Sequence, residues 1–179
     1  MAYTWKYKTS NGYSNIYMNS DGECLTGLWF EGSRDMSKHE LKGTERLVPV
    51  LEETCEWLDE YFRGIEPTQK PAYKIENITP FRKQVIEEMN RIPYGKVITY
   101  NDIARSLAKK RGIERMSAQA VGGAVGWNPI CIIIPCHRVV GSNGSLTGYG
   151  GGINNKYSLL QHEGLNMHDF YIPSKGTAL

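Results

Sequence analysis

A run of four apolar residues closed by a proline sets the tightest limit on how this chain folds. Residues Cys131-Ile132-Ile133-Ile134 lead directly into Pro135-Cys136-His137-Arg138-Val139. Such a run is long enough for a buried strand and too short for a globular helix, and a proline, lacking an N–H, ends ladder pairing. The expectation is therefore a buried strand that delivers the Cys136 thiol at its end, with the His137 imidazole next along the chain. Nucleophilic sulfur chemistry needs a positioned cysteine and a group that can take its proton. Neighbours at a strand end point apart, so His137 is not expected to touch the Cys136 sulfur directly.

The chain has 179 residues, enough for one compact unit or two small domains. Its formal net charge of +2 excludes a global field directed at a polyanion, leaving only local patches such as Lys109, Lys110 and Arg111. Four cysteines (Cys24, Cys55, Cys131 and Cys136) form no C-x-x-C pair and no zinc-finger spacing. Residues Met1 to Gly12 lack the apolar centre of a signal peptide, and no segment is long and apolar enough to span a bilayer. The expected setting is a reducing cytoplasm, where Cys136 stays a thiol.

Patterning divides the chain at about residue 75. In the first part Tyr3, Trp5 and Tyr7 alternate with polar residues, and two extended runs, Ile16-Tyr17-Met18 and Cys24 to Phe30, flank an Asp21-Gly22 turn. Val50, Leu51, Trp57, Leu58, Tyr61 and Phe62 then predict a helix over 48–62 with Pro49 in its first turn. After a linker around Pro67 to Ala72, Thr79-Pro80 opens a second helix, and Thr99 caps a third carrying Ile103, Ala104 and Leu107. A fourth is predicted over 117–126 and a last over 154–162, the former making a helix-turn-helix-like pair with its predecessor. The fold class is α/β.

The helix over 117–126 is unusual. Gly122 and Gly123 each cost about 1 kcal/mol relative to alanine, and with Ala118 they leave much of its surface bare. One reading is close packing on another helix. The other is close approach to a partner backbone such as the DNA minor groove, since a major-groove reader would carry several long polar side chains and only Gln119 qualifies.

Several segments, in order, resemble one family. These are Ile92-Pro93-Tyr94-Gly95-Lys96-Val97-Ile98-Thr99-Tyr100, Ala120-Val121-Gly122-Gly123-Ala124, Asn128-Pro129, Ile134-Pro135-Cys136-His137-Arg138-Val139-Val140, Leu146 through Gly152, and His162-Glu163-Gly164. Residues 77 to 165 resemble the O6-alkylguanine-DNA alkyltransferases, the methylated-DNA–protein-cysteine methyltransferases. The resemblance implies an N-terminal α/β domain (1–75, ribonuclease H-like) packed on a mostly helical C-terminal domain (76–179) carrying the helix-turn-helix. It implies a monomer that binds duplex DNA through the minor groove, flips out O6-alkylguanine and moves the alkyl group to Cys136 in a single turnover.

By the same resemblance a water relays the thiol proton to His137, Glu163 orients that imidazole, Asn128 braces the active-site turn, and Tyr100 donates to a guanine ring nitrogen. The implied DNA-facing residues are Gln119, Ala118, Gly122, Arg115, Arg138 and Thr99. The implied pocket residues are Val139, Tyr149, Gly150, Pro135 and Trp127. Lys156 matches a basic position behind the pocket, though an exposed lysine at a helix start explains it almost as well. Many family members carry arginine where this chain has Gln119, which lacks the flat stacking cation. Some relatives hold zinc in the N-terminal domain; Cys24, Cys55 and His39 offer no tight pair, so neither a structural metal nor a cofactor is expected. Two other readings are a lesion-binding module without transfer, against which Cys136 argues, and a Cys-His hydrolase.

Overall fold

The computed structural model describes residues 1–10 and 12–174, so Asn11 and residues 175–179 of the predicted C-terminal domain lie outside it. The chain divides into two compact units, Met1–Asn77 and Ile78–Leu179.

The first unit is a four-stranded sheet with a helix on it. Strands β1 (Tyr3–Tyr7), β2 (Ile16–Ser20), β3 (Leu25–Phe30) and β4 (Thr44–Glu45) lie in the order β3-β2-β1-β4. The first three are antiparallel neighbours, and β4 joins β1 in parallel. Asp21 shapes the β2–β3 turn, its Oδ1 accepting from the N–H groups of Glu23 at 3.0 Å and Cys24 at 2.8 Å. A short helix α1 (Arg34–Lys38), capped by Ser33, follows β3 and has no apolar periodicity that could announce it. Helix α2 (Pro49–Phe62) buries Val50, Leu51, Thr54, Trp57, Leu58 and Tyr61 and packs on β2 and β3. Leu51 and Leu58 are wholly buried, each contributing about 1.5–3 kcal/mol by leaving water.

The second unit is mostly helical. Helix α3 (Pro80–Met89) starts at Thr79, whose hydroxyl accepts from Arg82 N. Strand β5 (Ile98–Thr99) runs into α4 (Tyr100–Arg111), and residues 112–117 link α4 to α5 (Ala118–Val125). Helices α3, α4 and α5 pack on one another. Glu88 of α3 pairs with Lys110 and accepts from Ser106, and the Arg111 guanidinium lies over the Phe81 ring, so α4 is fixed at its outer end. Strand β6 (Val139–Val140) pairs in parallel with β5, and α6 (Ile153–His162) closes the unit.

The predicted strand before Pro135 is absent. Residues Cys131 to Ile134 form a buried turn, with Ile133 N donating to Cys131 O at 2.8 Å, Ile134 N to Ile130 O at 3.2 Å, and Ile132 at φ 66°. Four apolar residues announce burial, and a run that short carries no period to separate turn from strand. A β-branched residue in the left-handed region costs about 1–3 kcal/mol, which burial of Ile132, Ile133 and Ile134 offsets. Cys136 therefore sits on a 3-10 turn, Cys136–Arg138, that feeds β6. Among the described residues no helix is long and apolar enough to cross a membrane.

Candidate active site

Asn128 is the keystone of the turn. Its Nδ2 donates to Ile130 O at 3.2 Å and Ile134 O at 2.9 Å, while its Oδ1 accepts from Ile130 N at 3.1 Å. The same Nδ2 lies 3.1 Å from Cys136 Sγ, so one buried amide braces the loop and faces the thiol. Such a donor stabilises charge developing on sulfur.

His137 follows on the same 3-10 turn and is fully buried. Its Nε2 lies 2.6 Å from Glu163 Oε1, and its Nδ1 has no hydrogen-bond partner among the described residues. Glu163 also accepts from Arg138, at 2.8 Å to Nε and 3.1 Å to Nη2, and from Gly95 N at 3.0 Å. Gly95 can make that contact because it sits at φ 69°, where a Cβ would come within 3.0 Å of Glu163 O. Burial pushes the Glu163 carboxyl up, but His137 and Arg138 together outweigh it and hold the group well below the usual carboxylate range. Burial also dominates at His137 and lowers it, against the opposing pull of Glu163. The resting pair is therefore a neutral imidazole on an ionised carboxylate. With Nε2–H assigned to Glu163, Nδ1 is the basic atom.

Tyr100, at the start of α4, donates its hydroxyl to Thr147 O at 3.0 Å. Burial pushes its phenol well above the ordinary value, so it stays a donor. Lys156 on α6 is wholly buried, not an exposed helix-start lysine; its Nζ donates to Val139 O at 2.6 Å and Thr147 O at 3.1 Å. That ammonium lies between the Tyr100 and Tyr149 rings, 5.9 and 5.8 Å from their centroids. Tyr149 is fixed by Gly151, where a Cβ would come within 2.6 Å of its ring. Val139, Gly150 and Pro135 are buried around the same turn, and Trp127 is half-buried with the Arg82 guanidinium 4.2 Å from its ring centroid.

The residues expected at DNA divide. Gln119, Ala120 and Gly123 are exposed on one face of α5, Ala118 is partly exposed, and a Cβ on Gly123 would meet nothing within 4 Å. Arg115 is exposed just before this helix. Three others of these residues are engaged within the fold. Gly122 is buried, because the helix turns Val121 and Gly122 toward the core. The Thr99 hydroxyl serves the α4 capping box, accepting from Asp102 N and donating to Asp102 Oδ2 at 2.7 Å. Arg138 is 12% exposed in its side chain and is spent on Glu163 and on Ile92 O at 2.8 Å.

Comparison with known proteins gives this geometry a context. Residues 80–165 match the family model described as 6-O-methylguanine DNA methyltransferase, DNA binding domain. The inducible methylated-DNA–protein-cysteine methyltransferase of Bacillus subtilis is 38% identical over 160 residues, taking in 83% of this chain and 84% of that protein. The chain belongs to the methylated-DNA–protein-cysteine methyltransferase family. The Salmonella typhimurium methyltransferase is more alike over a shorter stretch, 48% over 86 residues, which is 48% of this chain and 47% of that protein. Against that relative the chain thus aligns over about half its length. Mycobacterium tuberculosis OGT, solved in complex with DNA, superposes with a TM-score of 0.74 at 31% identity, covering 90% of this chain and 92% of that one.

In this chain the sequence left the contributions of Gly95 and Thr147 unread. Gly95 and Thr147 act through backbone atoms, which no side-chain pattern reveals. Arg138 was read as a DNA contact because its partner, Glu163, lies 25 residues away. Lys156 did leave a signal: it occupies the buried stripe of α6 with Leu159 and Leu160, three and four residues on, where a lysine must be paired or functional. Among the described residues no group of three or more His, Cys, Asp or Glu gathers as metal ligands would.

Proposed function

We propose that this chain repairs DNA by moving the alkyl group of O6-alkylguanine in duplex DNA onto Cys136, once per molecule. The observation that carries the reading is the buried alignment of Asn128, Cys136, His137 and Glu163 within the family's motif. Cys136 Sγ attacks the alkyl carbon; the S–C bond forms as the C–O6 bond breaks, and the bonding pair leaves with the guanine. The thiol proton passes through a water to His137 Nδ1, whose imidazolium the Glu163 carboxylate stabilises. Tyr100 exchanges its bond to Thr147 O for one to a guanine ring nitrogen and meets the charge that departs with the base. The product thioether has a poor leaving group, so no second cycle follows.

The exposed, nearly bare face of α5 suits a minor groove, with Gln119 taking the place of the extruded base and Arg115 on a phosphate. A reducing cytoplasm would keep Cys136 available as the thiol.

The test mixes the protein with a duplex containing one O6-methylguanine and maps methylation by peptide mass spectrometry. One methyl on the Cys136 peptide, stoichiometric and absent from Cys136→Ser, is expected. Tight binding with an unmodified Cys136 would make the protein a lesion sensor, and turnover of a small ester or amide would make it a hydrolase.

A further inference from the structure

Lys156 is a buried cation without a carboxylate. Its relative exposure is 0%, its two hydrogen bonds go to neutral carbonyls, and no ion pair joins it among the described residues. Burying an ammonium is expensive unless it is paired. Charge in this pocket is otherwise accounted for: Glu163 is matched by Arg138, and His137 is neutral. The groups around Lys156 are the rings of Tyr100, at the start of α4, and Tyr149, in the loop before α6, and the Cys136–Arg138 turn, whose capping residue Val139 supplies one of its acceptors. Tyr100 stays protonated. Among the described residues the acid whose negative charge acts on Lys156 is the Cys136 sulfur.

We propose that Lys156 is the fixed counter-charge of the Cys136 thiolate, so that the attacking sulfur ionises against an ammonium already stripped of water. The inference rests on Cys136 as the attacking atom and names what sets its reactivity. Burial lowers Lys156 to about 8, while a negative Cys136 opposes that fall. Lys156 acts through Cys136 and need not touch the guanine, so it is a positioning residue. The carbonyls of Val139 and Thr147 hold it, and Thr147 O also receives Tyr100, tying ammonium and phenol to one backbone atom. The charge leaves sulfur for the base as the S–C bond forms, and the ammonium then stands beside a neutral thioether.

The test reads ionisation of the sulfur without DNA. Carbamidomethylation of Cys136 by iodoacetamide, followed on the Cys136 peptide across pH 5–10, is compared in native protein, Lys156→Met and Lys156→Arg. Loss of the counter-charge should move the Lys156→Met profile upward by at least about one pH unit, with reaction about tenfold slower at pH 7, and Lys156→Arg should recover part of it. Coincident profiles would overturn the proposal. If Lys156→Met does not fold, the native protein answers instead. The Lys156 ammonium, titrated by NMR before and after Cys136 is capped with methyl methanethiosulfonate, should lose its proton at lower pH once capped, and an unchanged titration would overturn the proposal. A Lys156-dependent iodoacetamide profile in a protein that ignores O6-methylguanine would sink the repair reading and leave this one standing.

Discussion

At Glu163 one carboxylate serves the His137 ring, two nitrogens of Arg138 and the Gly95 N–H. Glu163→Gln keeps the shape but puts an amide against an imidazole and leaves Arg138 without its counter-ion. Single-turnover reaction on an O6-methylguanine duplex should slow by about 100-fold or more, the usual worth of a positioned base. Unfolding should become easier by about 3–5 kcal/mol, as when one partner of a buried ion pair is removed. Stopped-time quench and urea melts check the two. Gln119 belongs to the opposite kind of residue, exposed on the surface of α5. Gln119→Arg should change the ratio of the duplex rate to the rate on free O6-benzylguanine; a constant ratio would remove Gln119 from the DNA face. The chemistry-bearing side chains Cys136, His137, Asn128 and Tyr100 were all visible in the sequence. What hid was their wiring, because the bonds from Arg138 and Gly95 to Glu163 span 25 and 68 residues and form only when the chain folds back.

Helices were the legible elements, and for a physical reason. Thr79 before Pro80, the Thr99–Asp102 capping box and the α2 stripe are local signals, each contained within a few residues. The turn at Cys131–Ile134 was misread as a strand because its geometry is dictated from outside, by the Asn128 amide. Strand β4 and helix α1 escaped because β4 has two residues and α1 five. Two predictions belong to these elements. Thr99→Ala removes the hydroxyl half of the α4 box, leaving Asp102 on the residue-99 N–H, and should destabilise by about 1 kcal/mol in a urea melt. Gly123→Ala fills open space on an α-helix, so it should stabilise by up to about 1 kcal/mol. If that face lies along a minor groove, the same methyl should slow reaction on duplex; equal or faster duplex reaction would take α5 out of the groove.

For the molecule as a whole, charge sets two measurable dependences. With a net charge of +2, DNA affinity should fall shallowly with salt, each neutralised phosphate contributing about −0.9 to the slope of log K against log salt. A steep slope, measured by fluorescence anisotropy, would require more phosphate contacts than the one proposed for Arg115. Stability should vary with pH through three buried groups. His137 is lowered from 6.5 by burial, so below about pH 6.5 the unfolded chain binds a proton that the folded chain refuses, and stability falls with acid. Glu163 adds stability that is complete above its unfolded value of 4.5 and lost only as pH drops toward its depressed folded value. Lys156 works in the other window: lowered from 10.5 to about 8, it weighs against folding by about 3 kcal/mol at neutral pH, and that burden lifts as pH rises between the two. Urea melts from pH 6 to 10 should show the rise in the native protein and a flatter curve in Lys156→Met. Glu163 has one more consequence, outside chemistry. By holding the N–H of Gly95, 68 residues earlier, it is also a clasp on the chain. A genetic screen for survival under alkylating agents would therefore score position 163 through two channels at once. Most of its variants would be lost as scarce protein, degraded before their slowness could be counted.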